Sequence, residues 1–334
     1  MTNRIRDIRG FWRGLVAAAA GLALAGWATA QTPTYPQPGK PIRLLVGLAA
    51  GGSLDAQARA IAQKITEQTG SQVLVDNKPG ASTMLAAGDV MRAAPDGYTL
   101  LFAPSSTFAQ NPHTLLSVPY DPFKDFTPIS LATRGPLVLT VHSSMPVKDV
   151  KELVAWAKAN PGKLNFASFG TGTSSHIYAM AFAKAVNIEI THVPYKGTAD
   201  AARDLLEGRV QAYFDAAPTA IQNSAGGRIR MIGVAAPKRM IAAPEVPTFT
   251  EQGVPGMDLT SWIAIVGPAN LPRDIQMKLN AMLVQTLNSP DVKDFIAKGA
   301  YEASPGTPAE LMTEMHVAYE KWGQMVKSIG FEKQ

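Results

Sequence analysis

The sequence predicts an α/β fold in which parallel or mixed sheets carry helices on both faces, the doubly wound arrangement. Short apolar runs of strand length alternate with segments in which apolar residues recur at helical spacing. The chain has 334 residues, of which 46% are hydrophobic. This length is enough for a sizeable core and indicates two domains.

The elements alternate along most of the chain. Strands are predicted at residues 42–46, 73–75, 98–102, 164–167, 190–193, 212–214 and 229–234. Helices are predicted from Leu54 to a glycine stop at Gly70, through Met84 and Val90, and from Pro146 to Asn160. Three more helices, at residues 275–287, 292–298 and 308–329, are predicted at the C-terminus.

The first 30 residues have the pattern of a secretory signal peptide. Four arginines precede an apolar stretch at residues 15–27, which is too short to span a membrane as a helix. It ends in Ala28-Thr29-Ala30, a small-x-small cleavage pattern, so we expect export to the periplasm and cleavage after Ala30 rather than an uncleaved anchor. Residues 31–41 contain four prolines and are predicted to be a linker.

Composition argues against several functions. Removal of the signal peptide lowers the formal net charge from +5 to +2, which leaves no electrostatic basis for binding nucleic acid. The absence of cysteine excludes disulfides, Cys-ligated zinc, iron–sulfur clusters and thiol nucleophiles. The five histidines lack metal-ligand spacing. The sequence therefore predicts neither a metal nor a cofactor.

Four predicted strand exits consist of small, hydroxylated and glycine-rich residues, at 49–53, 79–83, 104–107 and 168–175. Each precedes a predicted helix, so unpaired backbone N–H groups and a positive dipole end can point at one anion. Ordinary N-capping explains any single loop, whereas four loops together favour a site. Neither G-x-x-x-x-G-K-[ST] nor G-x-G-x-x-G occurs, which favours an anion smaller than a nucleotide.

Catalytic motifs are absent, since the chain has neither G-x-S-x-G nor H-E-x-x-H. A triad of Ser106, His176 and Asp215 remains open as an alternative. His176 and His192 are otherwise predicted to be packing or capping residues. Asp215, at the end of a predicted strand, either faces a crevice at the sheet edge or caps the helix that follows.

Seven segments, in chain order, resemble the substrate-binding proteins of tripartite tricarboxylate transporters, also called Bug-type receptors. They are residues 41–46 with 51–55, 76–81, 94–100, 119–122 with 124–126, 170–176, 193–197 and 245–248. The resemblance implies a two-domain periplasmic binding protein fold, type II-like, with a hinge of two crossings. It implies a domain of residues 36–134 plus 259–334 and a second of residues 135–258.

The resemblance also implies a non-enzymatic, monomeric receptor that closes over a small organic carboxylate and delivers it to membrane permease subunits. In this family the carboxylate is held by backbone amides, hydroxyls and water rather than by arginine. The implied ligand-binding residues are Leu48, Ala49, Ala50, Ser53, Ser82, Ser105, Ser106, Thr107, Ser168, Gly170, Thr171, Gly172, Thr173 and Asp215.

The chain departs from the family pattern at three places. Residues 47–50 replace a loop with prolines and a phenylalanine, Ser82 and Thr83 replace two glycines, and Met180 replaces a glutamate. These departures predict a more apolar wall and a ligand with an apolar or aromatic body, unless Met180 packs inside its helix layer. Two other classes remain open: an exported serine hydrolase using Ser106 or Ser174, and a structural envelope protein without a small ligand.

Overall fold

The computed structural model describes residues 35–334. The predicted signal peptide and residues 31–34 of the predicted linker lie outside the described residues. Residues 38–334 pack as one unit that contains two sheets. No helix in residues 35–334 combines the length and apolar character needed to cross a membrane.

The first sheet has the strand order β2-β1-β3-β10-β4-β11. Its strands are β1 (Ile42–Val46), β2 (Val73–Asn77), β3 (Thr99–Pro104), β4 (Phe126–Gly135), β10 (Ser261–Pro268) and β11 (Glu302–Ala303). Strand β1 runs parallel to β2 and β3, whereas β10 is antiparallel to β3 and β4. We call this sheet with its helices the first lobe.

The second sheet has the order β7-β6-β8-β5-β9. Its strands are β5 (Leu137–His142), β6 (Asn165–Ser168), β7 (Thr191–Pro194), β8 (Ala212–Ala216) and β9 (Ile229–Ala235). Strand β6 is parallel to β7 and β8, and β5 is antiparallel to β8 and β9. This sheet with its helices is the second lobe.

The chain crosses between the lobes twice, between β4 and β5 and between β9 and β10. The strand that follows each crossing is antiparallel to both of its neighbours: β5 lies between β8 and β9, and β10 lies between β3 and β4. The α/β class and the two-lobe arrangement predicted from the sequence are therefore confirmed, while the exact domain limits stay a prediction.

Helices cover both sheets. They are α1 (Ser53–Thr69), α2 (Met84–Met91), α3 (Asn111–Thr114), α4 (Val150–Ala159), α5 (Ser174–Val186), α6 (Thr198–Leu206), α7 (Ala217–Ser224), α8 (Arg273–Leu287), α9 (Pro290–Lys298) and α10 (Pro308–Ser328). A 3₁₀ turn at Ala81–Thr83 precedes α2, and a π-helix at Ser106–Gln110 precedes α3. The π-helix is notable because such segments occur often at functional sites.

The predicted elements are largely present, with two differences. Helix α4 begins at Val150 rather than at Pro146, because the Asp149 carboxylate accepts a hydrogen bond from the Glu152 N–H at 2.7 Å and caps the helix there. Strands β4, β5, β10 and the two-residue β11 were not predicted. The first three are next to a crossing, where the regular alternation of strands and helices is interrupted: β4 and β5 are separated only by Pro136, and no helix lies between β9 and β10.

Each lobe has an aromatic core, and the C-terminal helix joins the two. In the first lobe the rings of Phe108 and Trp262 stack with centroids 6.0 Å apart. In the second lobe Phe214 stacks on Phe166 at 5.6 Å. Trp322 of α10 meets Tyr178 of α5 edge to face at 5.3 Å, so the first lobe's last helix packs on the second lobe.

Candidate functional site

The carboxyl ends of four parallel strands face the space between the lobes. Strands β1 and β3 end at Val46 and Pro104, and β6 and β8 end at Ser168 and Ala216. Three of the loops singled out by composition follow β1, β3 and β6, and the fourth, at residues 79–83, follows β2. Ligands bind in open α/β sheets at this edge, so the fold brings the predicted loops to one crevice.

Hydrogen bonds close the crevice from both lobes. The Ser82 hydroxyl donates to the Thr171 carbonyl, and the Thr114 hydroxyl donates to the Gly172 carbonyl at 3.2 Å. The Ala49 N–H donates to the Lys196 carbonyl at 3.4 Å, and the Ser53 N–H donates to the Thr198 hydroxyl at 3.2 Å. The structure is therefore that of the closed arrangement, in which loops of one lobe contact loops of the other.

Two predicted hydroxyl groups are buried and free to bind a ligand. Ser105 and Ser106 are fully buried at the end of β3, and their Oγ atoms have no hydrogen-bond partner within residues 35–334. The side-chain amide of Gln110, the last residue of the π-helix, is also buried and has no hydrogen-bond partner within residues 35–334. Buried polar groups are nearly always paired in native proteins, so this cluster marks a place where a polar ligand belongs.

The other predicted hydroxyls are used to shape the loops. Thr107 Oγ1 lies 2.7 Å from Thr83 Oγ1, and Thr173 Oγ1 donates to the Gly170 carbonyl at 2.6 Å. Ser168 Oγ lies 2.7 Å from His192 Nε2. Ser53 Oγ accepts from the Gln57 amide at 3.2 Å. These hydrogen bonds hold the backbone around the crevice, and the ligand contacts expected of these four residues stay a prediction.

The electrostatics of the crevice favour an anion. Helices α1, α5, α6 and α7 begin at the strand ends, and none of their N-cap residues, Gly52, Thr173, Gly197 and Ala216, forms a side-chain cap within the described chain. Their first N–H groups and positive dipole ends therefore point toward the crevice. No lysine or arginine of residues 35–334 is buried. An anion in the crevice would therefore meet backbone N–H groups rather than a buried lysine or arginine.

Asp215 is fully buried at the end of β8, and both of its carboxylate oxygens lack a hydrogen-bond partner in residues 35–334. Burial raises the pKa of Asp215 well above its ordinary value, and the nearby Ala216 N–H and Tyr213 hydroxyl offset only part of this effect. The helix-capping alternative is wrong, because α7 has Ala216 as its N-cap and no side-chain cap from the described residues.

Two tyrosines beside Asp215 were missed by the sequence analysis. Tyr213 lies two residues earlier on the same face of β8 and is fully buried. Tyr301 comes from the first lobe, and its ring lies against Gly135 at the first crossing. Residues two apart in a strand lie on the same face, so the sequence could have placed Tyr213 beside Asp215. Nothing in the sequence links Tyr301, 86 positions away, to this strand.

A pair of stacked histidines supports the loop between β6 and α5. The rings of His176 and His192 are parallel within 7°, with centroids 3.5 Å apart. His176 Nδ1 accepts the Gly172 N–H at 3.1 Å. Burial, and then the neighbouring His192, lower the pKa of His176 to about 3, and burial lowers the pKa of His192 to about 4. The pair is neutral at pH 7 and holds the loop, as the packing interpretation predicted.

Packing against the first lobe requires a glycine at position 172. Gly172 has φ +75°, and a Cβ there would lie 2.3 Å from Thr114 Oγ1 of the first lobe. The close approach predicted for this glycine is therefore to Thr114, and the structure does not place its α-carbon against a ligand. Gly52 is similar, since its Cβ would lie 2.2 Å from Thr198 Oγ1.

A cavity of about 370 Å³ opens beside this site. Its lining includes the predicted residues Leu48, Ser82, Gly170 and Thr171, together with Phe169. Ser53 instead lines a second cavity, of about 540 Å³, between α1 and the helices α6, α7 and α9. Ala49 is partly exposed and Ala50 is exposed, so Ala50 lies at the outer rim rather than in the buried site.

Met180 does not contribute to the crevice. It lies in a surface groove with Lys184 and the C-terminal residues Ile329 and Phe331. The expectation that Met180 forms an apolar wall of the ligand site is therefore wrong. Helix α5 points its N-terminus at the crevice, and Met180 lies almost two turns further along.

The residues of the possible triad do not form one. His176 Nδ1 is taken by the Gly172 N–H, and its ring stacks on His192. Ser106 and Asp215 make no hydrogen bond to His176 or to any other described residue. Ser174 Oγ lies 3.1 Å from Ser261 Oγ, and it makes no hydrogen bond to a histidine within residues 35–334. Residues 35–334 contain no group of three metal-ligating side chains.

The fold and the crevice together define a class of protein. Two lobes, two crossings and a crevice at the strand ends are the features of a two-domain periplasmic binding protein. Comparison with known proteins gives the particular family. The family model of the tripartite tricarboxylate transporter family receptor matches residues 57–331. The chain therefore belongs to this family of solute-binding receptors.

Relatives support the assignment over the full length. Protein BugT of Bordetella pertussis is 30% identical over 319 residues, which cover 95% of this chain and 96% of BugT. The structure of Rpa4515 of R. palustris with adipate has a TM-score of 0.86 and 31% identity, covering 89% of this chain and 99% of that one. The structure of MatC of Rhodopseudomonas palustris with bound malate has a TM-score of 0.83 and 29% identity, and the match covers 86% of this chain and 99% of that one.

Proposed function

We propose that this protein is a monomeric, non-enzymatic receptor of the periplasm that captures a small organic carboxylate between its lobes. It then delivers the carboxylate to membrane permease subunits of a tripartite tricarboxylate transporter. The observation that carries the proposal is the unpartnered, buried pair of Ser105 and Ser106 hydroxyls at a crevice faced by helix N-termini. Hydroxyls and backbone N–H groups supply hydrogen-bond donors for a carboxylate without a buried cation.

The related structures with adipate and malate make dicarboxylates of four to six carbons the first ligands to test. Leu48 and Phe169 supply apolar surface in the cavity beside the site. This supports a ligand whose carbon body is apolar, so adipate or an aromatic acid is preferred to citrate or aspartate. We therefore propose Leu48 and Phe169, and not Met180, as the apolar wall of the ligand site.

The test is a thermal-shift and calorimetry screen of the mature protein with adipate, malate, benzoate, citrate and aspartate. A ligand present at 100 times its Kd stabilises the folded protein by about 2.7 kcal/mol, which raises Tm by several degrees. Adipamide, which has the same carbon chain without charge, is the matched control and is expected to have little effect. Equal stabilisation by the acid and the amide contradicts an anion site.

The hydrolase alternative has no observation in its favour, and a direct assay tests it. A serine-reactive fluorophosphonate is expected to leave Ser106 and Ser174 unlabelled, because neither has a general base beside it. Stoichiometric labelling of either serine, followed by turnover of an ester, would instead support the hydrolase. Absence of binding by every small acid would favour a structural envelope protein.

A further inference from the structure

Asp215 is a carboxyl group buried between the two lobes without a positive partner. It belongs to β8 of the second lobe, while Tyr301 approaches it from the first lobe at the first crossing. Burial, and then the charge on Asp215, raise the pKa of Tyr301, and the nearby Ser53 hydroxyl offsets part of this rise. A first-lobe side chain therefore contributes to the surroundings of the fully buried Asp215.

No lysine or arginine of residues 35–334 is buried, so none compensates the charge of the fully buried Asp215. On helix α5, which also packs on β8, His176 accepts the Gly172 N–H, and burial lowers its pKa to about 3. Tyr213 on the same strand face has its pKa raised by burial and then by Asp215, and its hydroxyl has no partner in the described chain. Helix α7, which starts next to Asp215, contains no ionisable side chain. Strand β5 has only His142, at its far end, where Nδ1 lies 2.7 Å from Ser144 Oγ.

The charged residues on the neighbouring helices have partners of their own. On α6, Arg203 pairs with Asp200 at 3.1 Å, and Asp204 pairs with Arg209 at 2.8 Å. On α1, Asp55 pairs with Arg59 at 3.0 Å. These pairs lie at or near the surface, and none places a cation against Asp215.

An ionised carboxylate without a cation is costly to bury, and the nearby Ala216 N–H and Tyr213 hydroxyl offset only part of this cost, so the group binds a proton instead. A ligand carboxylate brought into the same crevice adds a second negative charge and strengthens this preference. We propose that Asp215 takes up a proton when the lobes close on the ligand, so that one carboxylate and one proton are captured together. This inference rests on the proposed receptor function.

Calorimetry of adipate and malate binding in phosphate and in Tris at pH 7 tests the coupling. The two buffers differ in ionisation enthalpy, so proton uptake appears as a difference in observed binding heat. We expect the wild-type protein to take up close to one proton per ligand at this pH. Over the range where free Asp215 is ionised and bound Asp215 is protonated, Kd should rise about tenfold per pH unit.

The variant Asp215→Asn tests whether Asp215 is the group that takes up the proton. The asparagine amide has the shape of the protonated acid, but it does not titrate in this pH range. It is expected to bind with no proton uptake and with a Kd that does not change with pH. Asp294→Asn, at an exposed position of α9, is the control and should behave as the wild type does.

Several outcomes would overturn the proposal. Binding heat that is independent of the buffer in the wild type contradicts it without requiring any variant to fold. Undiminished proton uptake in Asp215→Asn assigns the proton to another group. Loss of adipate and malate binding in a folded Asp215→Asn protein also contradicts the proposal, because an amide of the same shape should replace the protonated acid. If no acid of the panel binds the wild type, the receptor function fails, and the coupling fails with it.

Discussion

The Ser82 hydroxyl of the first lobe donates a hydrogen bond to the Thr171 carbonyl of the second lobe. Ser82 has φ +52°, and its neighbours Ala81 and Thr83 also have positive φ values, of +45° and +78°. Side chains other than glycine are disfavoured there by roughly 1–2 kcal/mol per residue. The family commonly has glycines at 82 and 83, so this chain accepts backbone strain and gains a hydroxyl that joins the lobes.

Replacement of Ser82 by glycine separates these two effects. We expect Ser82→Gly to raise the free energy of unfolding by about 1 kcal/mol, because the left-handed conformation becomes unstrained. Affinity for the carboxylate should fall up to about tenfold, because the closed state loses a hydrogen bond worth about 1 kcal/mol. Urea denaturation and calorimetry measure the two quantities.

Ser224→Ala is the control for the hydroxyl, since Ser224 donates to Ile221 within one helix of the second lobe. It should leave affinity unchanged. A Ser82→Gly protein that binds as tightly as the wild type would show that the bond between Ser82 and Thr171 does not stabilise the closed state.

Gly172→Ala should weaken ligand binding through the contact between lobes. The new Cβ meets Thr114 Oγ1 at 2.3 Å, so the loop after β6 must move away from the first lobe. Gly253→Ala is a matched control, because Gly253 has φ +80° with no atom within 4 Å of the added Cβ. Both variants carry the backbone penalty, and only the first is expected to lose affinity.

The double variant Gly172→Ala with Thr114→Ala should recover part of the lost affinity, because it removes the obstructing hydroxyl. Calorimetry on the four proteins gives the coupling between the two positions. Independent, additive effects would place the constraint on Gly172 somewhere other than Thr114.

The His176–His192 pair should make the fold sensitive to acid. In the unfolded chain each histidine takes up a proton near pH 6.5, whereas in the fold their pKa values are about 3 and about 4. The unfolded state then binds more protons, so the free energy of unfolding falls as pH drops from about 6.5 toward about 4. The expected slope is about 1.4 kcal/mol per pH unit for each histidine.

Asp215 acts in the opposite direction, because its raised pKa makes the folded state bind the extra proton. The prediction therefore concerns the difference between wild type and His192→Gln in urea titrations from pH 4.5 to 7.5. His192→Gln should show a shallower loss of stability on acidification. His316→Gln, at an exposed position, should match the wild type, and identical slopes in all three proteins would contradict the assignment.

Processing of the precursor gives a further prediction. The exported protein should begin at Gln31, because the apolar stretch is short and Ala28-Thr29-Ala30 fits a signal-peptidase site. Intact-mass spectrometry of the periplasmic fraction measures this directly. Ala28→Lys should block cleavage, whereas Thr29→Lys, at the unconstrained middle position, should be cleaved normally. A wild-type product that retains residues 1–30 in the membrane would refute the prediction.

The sequence determined the alternation of strands and helices, because periodicity and glycine or proline stops are local properties. It also determined the chemical character of the crevice, since small hydroxylated residues at strand exits are visible along the chain. Strands β4, β5 and β10 escaped prediction because they interrupt the regular alternation: β4 and β5 are separated only by Pro136, and no helix lies between β9 and β10.

Only the tertiary structure decided which hydroxyls are free to bind a ligand. Ser105 and Ser106 are buried without partners, while Ser168 and Thr173 are engaged in their own loop. The tertiary structure also shows that Tyr301 lies beside Asp215 and that Met180 lies outside the crevice. Partners of this kind are set by contacts between lobes that are distant in sequence, and local patterns carry no information about which side chains meet there.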